Sequence, residues 1–274
     1  MFSFKNKEQP LPKTRFELLK DTLKYRLFEI ILDSIYMFIF ILPLIIWFIF
    51  IGFSQFKEQN IFNSLLQYGV AIPLIMIFGL GASGALYLFK KVCFQEGESI
   101  THDFFLGIKK NYKMFLLIYF FIGIFYMLLH VGLMIISSST SINDYVKGMF
   151  DGFLYVAFFF ILFFSFFIQT QTILYQASFT QLLANSIKFT FGMILKNIGV
   201  FVVMLIPFFV FEFVPFNIAQ RISLGVEGVF YFGFSFFILS LYSNHVFDLT
   251  INKKYPENIR KGLANETKED NLDN

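Results

Sequence analysis

Six long runs of apolar residues dominate the pattern of hydrophobic and polar positions along this chain. A helix needs about 20 predominantly apolar residues to cross the hydrocarbon core of a bilayer, which is about 30 Å thick. The runs have about that length, and their apolar residues are continuous rather than confined to one helical face. We therefore predict an all-α, polytopic membrane helix bundle with six transmembrane helices, at residues 30–53, 65–89, 115–136, 152–176, 198–216 and 226–247.

The segment before each odd-numbered run has the periodicity of an amphipathic helix. Apolar residues recur there at steps of three and four and lysines lie on the opposite face, which is typical of a helix in the membrane interface. The apolar positions are Phe16, Leu19, Leu23 and Leu27 in the first segment, Phe104, Phe105, Ile108 and Tyr112 in the second, and Phe179, Leu183, Ile187, Phe191 and Ile194 in the third. The chain thus reads as three repeats, each an amphipathic helix followed by two spans.

A weak internal similarity agrees with this division. An offset of 86 residues brings Lys24-Tyr25, Lys110-Asn111 and Lys196-Asn197 into register just before the first, third and fifth spans. Because each repeat holds two spans, the three repeats would share one orientation. Chance matches arise easily in a sequence this rich in Phe, Ile and Lys, so a threefold parallel repeat and chance similarity both stay open.

The basic residues are sorted to one side of the predicted spans. With a cytoplasmic N-terminus, the inside segments hold 19 Lys and Arg and the outside segments hold three, a division that the positive-inside rule favours. We therefore expect a multi-pass protein of a bacterial cytoplasmic membrane with both termini in the cytoplasm. Residues 1–29 would form a basic cytoplasmic arm with an amphipathic helix, 30–250 the six-span transmembrane domain, and 251–274 a disordered cytoplasmic tail. The basic arm favours anionic lipid headgroups over nucleic acid, so the lipid bilayer is the expected partner and nucleic acid is not.

Residues suited to catalysis or metal binding are few and scattered. Cys93 is the only cysteine, which excludes an intramolecular disulfide and a metal site built from several cysteines. The three histidines, at 102, 130 and 245, fall on both sides of the predicted membrane, without the spacing of metal ligands or of a nucleophile and its base. We predict no catalytic residues, no metal and no cofactor, and that the protein is not an enzyme.

A glycine-rich stretch in the second run fits the pattern G-x-G-x-x-G. A dinucleotide-binding fingerprint needs a preceding strand and a tight turn, and neither fits inside an apolar run. In a membrane helix, small residues four positions apart allow another helix to approach closely. We therefore predict helix packing at Gly79, Gly81, Ser83, Gly84 and Ala85.

Polar residues within the spans are costly in hydrocarbon and are candidates for function. Asp33, near the start of the first span, is expected to reach the cytoplasmic interface or to satisfy a donor on a neighbouring helix. The patch at 169–172 ends the fourth span, where it would meet headgroups or line a vestibule. Four further residues would form a polar cluster at the outer side of the bundle, or would each reach the headgroups separately: His130, Glu212, Arg221 and Glu227.

Residues 73–120 resemble a known family. The stretch Gly81-Ala-Ser-Gly-Ala-Leu-Tyr-Leu-Phe-Lys-Lys91, followed by Glu96-Gly-Glu98, Asp103-Phe-Phe105 and Lys109-Lys-Asn-Tyr112, is similar to the core signature of the YesL-like family of bacterial integral membrane proteins. The biochemical function of that family is unknown, so the resemblance implies a membrane topology and little chemistry. Its members are often encoded beside carbohydrate-uptake systems, which implies, by association only, an accessory role in sugar import.

Two functions stay open on this basis. The first is a non-enzymatic accessory or regulatory protein of carbohydrate uptake that binds a transporter subunit. The second is a small-solute transporter or permease acting through the helix bundle, which the scarcity of polar side chains near mid-membrane disfavours. The sequence leaves the oligomeric state open. For the first function the partner would bind the charged loop between the second and third spans, with Lys90, Lys91, Glu96, Glu98, Asp103, Lys109 and Lys110.

Overall fold

The computed structural model describes residues 11–53, 60–97, 99–175, 177–212, 227–254 and 259–264. A π-helical turn, Glu227–Tyr231, precedes the last α-helix, and a 3-10 turn, Ile251–Lys254, follows it. These ranges hold eight α-helices and no strand: α1 (Arg15–Tyr25), α2 (Leu27–Phe53), α3 (Ile61–Cys93), α4 (Ile100–Ser138), α5 (Asp144–Leu174), α6 (Phe179–Gly192), α7 (Ile194–Glu212) and α8 (Phe232–Leu249).

Several of these helices can cross a membrane. A sixth candidate arises if α6 and the first part of α7, which meet at a bend, are counted as one span. The prediction of an all-α polytopic bundle is confirmed, and the protein is a multi-pass membrane protein. The last residues of the predicted span at 198–216 lie outside the described residues. The five helices that are long and apolar enough by themselves are Leu27–Gly52, Ile61–Cys93, Ile100–Ser138, Asp144–Leu174 and Val229–Leu249.

Two of the predicted interfacial helices are separate elements with similar ends. The Thr14 side chain accepts a main-chain N–H at the start of α1 (3.1 Å), and Ser178 and Gln181 form a capping box at the start of α6. Each helix stops at one residue outside the helical region, Arg26 (φ −128°, ψ 22°) for α1 and Met193 (φ −129°, ψ 29°) for α6. A single residue therefore separates each of them from the next helix.

The second predicted interfacial helix is not separate. Residues 104–112 are part of α4, which runs unbroken from Ile100 to Ser138. The reason is local, since the polar stretch at 109–114 contains no proline or glycine that would end a helix. The predicted 86-residue offset does not align the helix break at Arg26 with the helix break at Met193. The threefold repeat stays a prediction.

The described part of the C-terminal tail, which lies within the region 251–274 predicted to be disordered, has local structure and contacts. Ile251–Lys254 forms the 3-10 turn, and the main-chain N–H of Ala264 donates to the carbonyl of Pro12 at 2.9 Å. Main-chain and charged groups make contacts here and the Leu263 side chain is buried, at 7% exposed, although the composition of the tail is polar. Residues 255–258 and 265–274 lie outside the described residues, and disorder there stays a prediction.

The chain divides into two compact units, which we describe separately. Unit 1 comprises the described residues of Met1–Phe38, Gly84–Lys110 and Leu195–Asn274, and unit 2 those of Ile39–Ser83 and Asn111–Ile194. The core of unit 1 includes large side chains that are at most 1% exposed, which mark the faces of α1, α2, α3, α4 and α8 that pack together: Leu18, Ile30, Met37, Leu88, Phe89, Phe104, Phe237 and Phe247.

The small-residue stretch of α3 is buried at all five positions for which we predicted packing, Gly79 to Ala85. Within unit 2, a Cβ at Gly79 would lie 2.5 Å from the ring of Tyr119. Within unit 1, a Cβ at Gly84 would lie 2.9 Å from both the ring and the carbonyl oxygen of Phe104. In each unit, therefore, α4 approaches α3 at a glycine, as small residues in membrane helices permit.

Buried polar side chains join α5 to α6 in unit 2. Gln171 Nε2 donates to Ser186 Oγ (2.9 Å) and to the carbonyl of Phe167 (3.0 Å), and Asn185 Nδ2 donates to Gln171 Oε1 (3.2 Å). Gln171 is 1% exposed. Gln171 of the patch at 169–172 therefore does not lie among headgroups, because α6 covers it and uses its hydrogen bonds, while Gln169 accepts the hydroxyl of Tyr119 in α4 at 3.1 Å.

Replacing Gln171 with leucine should destabilise the protein by about 1–3 kcal/mol, because the hydrogen bonds of the buried Gln171 amide to Ser186 and Asn185 are both lost and leucine replaces neither. Thermal unfolding of the purified protein in detergent measures the effect. Thr172→Val is the matched control, since the Thr172 hydroxyl bonds only the Ile168 carbonyl of its own helix (2.8 Å). Equal melting temperatures for the two variants would show that Gln171 does not join the helices.

Candidate functional site

Charged side chains of unit 1 join the N-terminal arm, the connection between α3 and α4, and the tail. Arg15 donates to Asp248 Oδ2 (3.1 Å), to the carbonyl of Lys261 (3.1 Å) and to the carbonyl of Cys93 (3.5 Å). Lys261 Nζ in turn pairs with Glu96 Oε1 at 2.8 Å. We call Arg15, Glu96, Asp248 and Lys261 the Arg15 clamp, because one guanidinium contacts three separate parts of the chain.

The ends of the helices and the turn at Gly262 position the residues of the clamp next to one another. Arg15 is the first residue of α1, and Asp248 lies in the last turn of α8. Asp248 Oδ1 also accepts the main-chain N–H of Arg260 (3.2 Å), which places the tail beside the end of α8. Gly262 has φ +83° and lies against the carbonyl of Cys93, so this position favours glycine both by its backbone conformation and by its space.

The two ion pairs of the clamp differ in their environment. The side chains of Arg15 and Asp248 are only 11% and 13% exposed, whereas those of Lys261 and Glu96 are 38% and 40% exposed. Exposed pairs contribute at most about 1 kcal/mol, because solvent screens them. A shielded guanidinium with several acceptors contributes more and is costly to disrupt. Arg15 is therefore the residue on which the clamp depends.

Part of the predicted charged loop belongs to this site. Lys91 lies 3.9 Å from Glu96. Lys110 Nζ donates to the hydroxyl of Tyr87 at 3.1 Å, and Lys90 and Lys110 lie over the Tyr87 ring at 5.8 and 5.2 Å from its centre. The structure thus brings Lys90 and Lys110 to the Tyr87 ring, where cation–π contact favours them, and Lys110 remains exposed.

Other residues of the predicted loop are placed differently. Asp103 is 2% exposed, with its carboxylate 3.6 Å from His102, so a partner cannot reach it as part of an open charged loop. The burial follows from helix geometry, since Asp103 and the fully buried Phe104 lie on neighbouring positions at the start of α4. Lys109 is exposed. Glu98 lies outside the described residues.

Of the predicted outer polar cluster, only the surroundings of His130 are described. In unit 2 its ring stacks on Tyr68 (centroids 4.3 Å apart, 9° between planes) and meets Tyr126 edge-on at 4.5 Å. Arg221 lies outside the described residues. Glu212 ends α7 and Glu227 begins the π-helical turn, but their side chains also lie outside the described part. The outer cluster stays a prediction.

Sequence reasoning missed Arg15, Asp248, Lys261 and Tyr87 as members of one site. One signal was available for Arg15: Thr14 followed by Glu17 is the start signature of a helix, and it places Arg15 at the first helical position. No local pattern links Arg15 to Asp248, since 233 residues separate them.

The site contains ion-pairing and hydrogen-bonding groups, which hold chain segments together and present charge. Within the described ranges, no group of three or more His, Cys, Asp or Glu is placed to hold a metal ion. No protein-family model, curated protein or solved structure matches the chain. The interpretation of the site therefore depends on its geometry.

Proposed function

We propose that this protein is a non-enzymatic accessory or regulatory membrane protein of the YesL-like type, which supports carbohydrate uptake by binding a transporter subunit. The observation that carries the proposal is the Arg15 clamp. It fixes the N-terminal arm, the connection between α3 and α4, and residues 259–264 into one ordered, charged surface. Carbohydrate as the transported substrate is taken from the sequence resemblance alone.

Lysines at the end of α3 and in α4 make this surface basic. Lys109 is exposed, and Lys90 and Lys110 surround Tyr87. A basic surface suits an acidic segment of a partner protein, since opposite charge steers association and sets orientation. The charge distribution over the spans supports a bacterial cytoplasmic membrane with both termini in the cytoplasm, where such a surface would meet the cytoplasmic part of a transporter.

A second candidate, transport of a small solute through the bundle, is favoured by one observation. Asp33 is an ionisable residue, 0% exposed, within the α2 span, and such residues mark substrate or ion pathways in many membrane proteins. The polar network of unit 2 favours the accessory function, because Gln171, Asn185 and Ser186 use their hydrogen bonds on each other.

Charge reversal at Lys109 tests the partner-binding surface. Purification of Lys109→Glu from its native membrane should recover about fivefold less of the transporter subunit than the wild type, a change of about 1 kcal/mol. Lys188→Glu is the matched control, because Lys188 is also an exposed lysine, on α6 in unit 2. Equal loss in both variants, or in neither, would contradict binding through the surface of unit 1.

Vesicles that contain only the purified protein separate the two candidates. The accessory function predicts no uptake of labelled sugar into such vesicles beyond that of protein-free vesicles. Uptake without a partner would overturn the accessory function and support transport through the bundle.

A further inference from the structure

Asp33 is a buried carboxyl group in a membrane-spanning helix. It is 0% exposed, and neither Oδ1 nor Oδ2 has a hydrogen-bond partner among the described residues. This differs from our expectation that Asp33 reaches the interface or satisfies a donor on a neighbouring helix. An ionised carboxylate in an apolar medium is very costly unless a cation or several donors compensate it. The carboxyl group must therefore be neutralised by something it binds.

Two helices of unit 1 flank Asp33 on the surface of α2. On one side, the hydroxyl of Tyr36 and that of Thr101 in α4 lie 2.7 Å apart. On the other side, Ser34 Oγ accepts the main-chain N–H of Gly233 in α8 at 2.7 Å. Because successive residues of an α-helix are about 100° apart around its axis, the side chain of Asp33 projects from α2 in a direction between those of Tyr36 and Ser34. Its side chain is thus directed between α4 and α8, into protein rather than lipid.

Apart from Asp33, the charged side chains of α2 and of the first turn of α4 have partners of their own, and the lysines of α4 begin two turns beyond Thr101, at Lys109. Glu29, one turn before Asp33, accepts Nε–H of Arg26 at 2.7 Å. At the start of α4, His102 and Asp103 are paired at 3.6 Å. The ionisable residues of α8 lie toward its end remote from Gly233, and they are Tyr242, His245 and Asp248. Within the described part of the chain, no cationic side chain is therefore paired with Asp33.

We propose that Asp33 binds a proton, and that this proton exchanges with water when the contact between α2 and α8 opens. A proton needs no space of its own, whereas a metal cation needs several oxygen ligands. The neighbouring hydroxyls of Tyr36 and Ser34 are already hydrogen-bonded. The π-helical turn Glu227–Tyr231 comes directly before the contact, and such irregular turns are frequent where membrane and soluble helices carry function.

Dicyclohexylcarbodiimide, an apolar reagent that adds to protonated carboxyl groups, tests the proposal on the full-length protein in detergent. The carboxyl adds across the reagent and rearranges to an N-acylurea, so the whole reagent is retained and no group leaves. Fragment mass spectrometry should place an adduct on Asp33 and distinguishes it from any adduct on Glu29 of the same peptide. Labelling should be greatest at acidic pH and should fall by about tenfold for each pH unit once the proton is released. An unlabelled Asp33 at acidic pH would overturn the proposal.

Two further measurements separate a proton from other cations. Sodium chloride added at constant pH should not slow the labelling relative to choline chloride, and protection by sodium would assign the site to a metal ion instead. Asp33→Asn, which resembles the neutral acid in shape, should keep the wild-type melting temperature. A large loss of stability in this variant, together with an unreactive wild-type carboxyl, would show that Asp33 is an ionised partner in a salt bridge.

Discussion

Replacing Gly233 with alanine should destabilise the protein by about 3 kcal/mol, at the upper end of the usual cost of overpacking. A Cβ at this position would overlap the carbonyl oxygen of Ile30 and would lie 2.7 Å from Ser34 Oγ. The carbonyl belongs to the main chain of α2 and cannot move aside by a rotamer change, so α8 must shift and the bond from the Gly233 N–H to Ser34 is strained or lost. Thermal unfolding in detergent measures the effect.

Gly199→Ala is the matched control for this prediction. Gly199 lies in α7, and nothing is within 4 Å of a Cβ built there. Alanine lowers the conformational entropy of the unfolded chain and is a better helix former, so this variant should be neutral or more stable by up to about 1 kcal/mol. If the two alanine variants melted at the same temperature, α2 and α8 would not be in close contact at Gly233.

The membrane spans were predictable because a single local property defines them. A helix that crosses the bilayer satisfies its own backbone and needs only length and apolar composition, both of which can be read from a short window of sequence. The separate helices α1 and α6 were predictable for a similar reason, since their apolar positions recur at helical spacing. The continuity of α4 through 104–112 was not, because amphipathicity does not say where a helix ends.

The candidate site depends on contacts between distant parts of the chain, and these left little trace in the sequence. Lys91, Glu96 and Lys110 were identified as charged residues of one loop, but their partners Lys261 and Tyr87 were not. From the sequence, Asp103 was assigned to a charged loop, yet it lies at the start of α4 on a face of the helix that is buried. The charge of a residue is visible in sequence, whereas its exposure depends on which face of which helix is covered.

Asp33 and Gln171 show the same limit within the spans. Both are polar residues in apolar runs. From the sequence, Asp33 was expected to reach the interface or to satisfy a donor on a neighbouring helix, and the patch with Gln171 to meet headgroups or line a vestibule. Gln171 is instead covered by α6 and fully hydrogen-bonded, while Asp33 is covered and has no described donor. Only the structure separates a polar group used for packing from one that needs a ligand, because the difference lies in the neighbours and not in the residue.

Replacing Arg15 with alanine should release residues 259–264 from the rest of unit 1. The variant loses the ion pair to Asp248 and the bonds to two carbonyls, which together contribute about 2–4 kcal/mol to holding residues 259–264 in place. Amide hydrogen exchange at Arg260 and Ala264 should then be faster by about 30- to 1,000-fold, since each 1.4 kcal/mol is a factor of ten. These two amides are suitable probes because they donate to Asp248 and to Pro12.

Two variants show whether the effect belongs to the clamp. Lys20→Ala removes a positive charge from the same helix, where Lys20 is exposed and lies over Phe16, and should leave exchange at both amides unchanged. Arg15→Lys should give an intermediate rate, because lysine keeps the charge near Asp248 but cannot reach several acceptors with a planar fork. Unchanged exchange in Arg15→Ala would mean that main-chain bonds and the Lys261–Glu96 pair hold the tail without Arg15. In that case the charged surface proposed to bind a partner would not depend on the N-terminal arm. The connection between α3 and α4 would instead hold the tail in that surface.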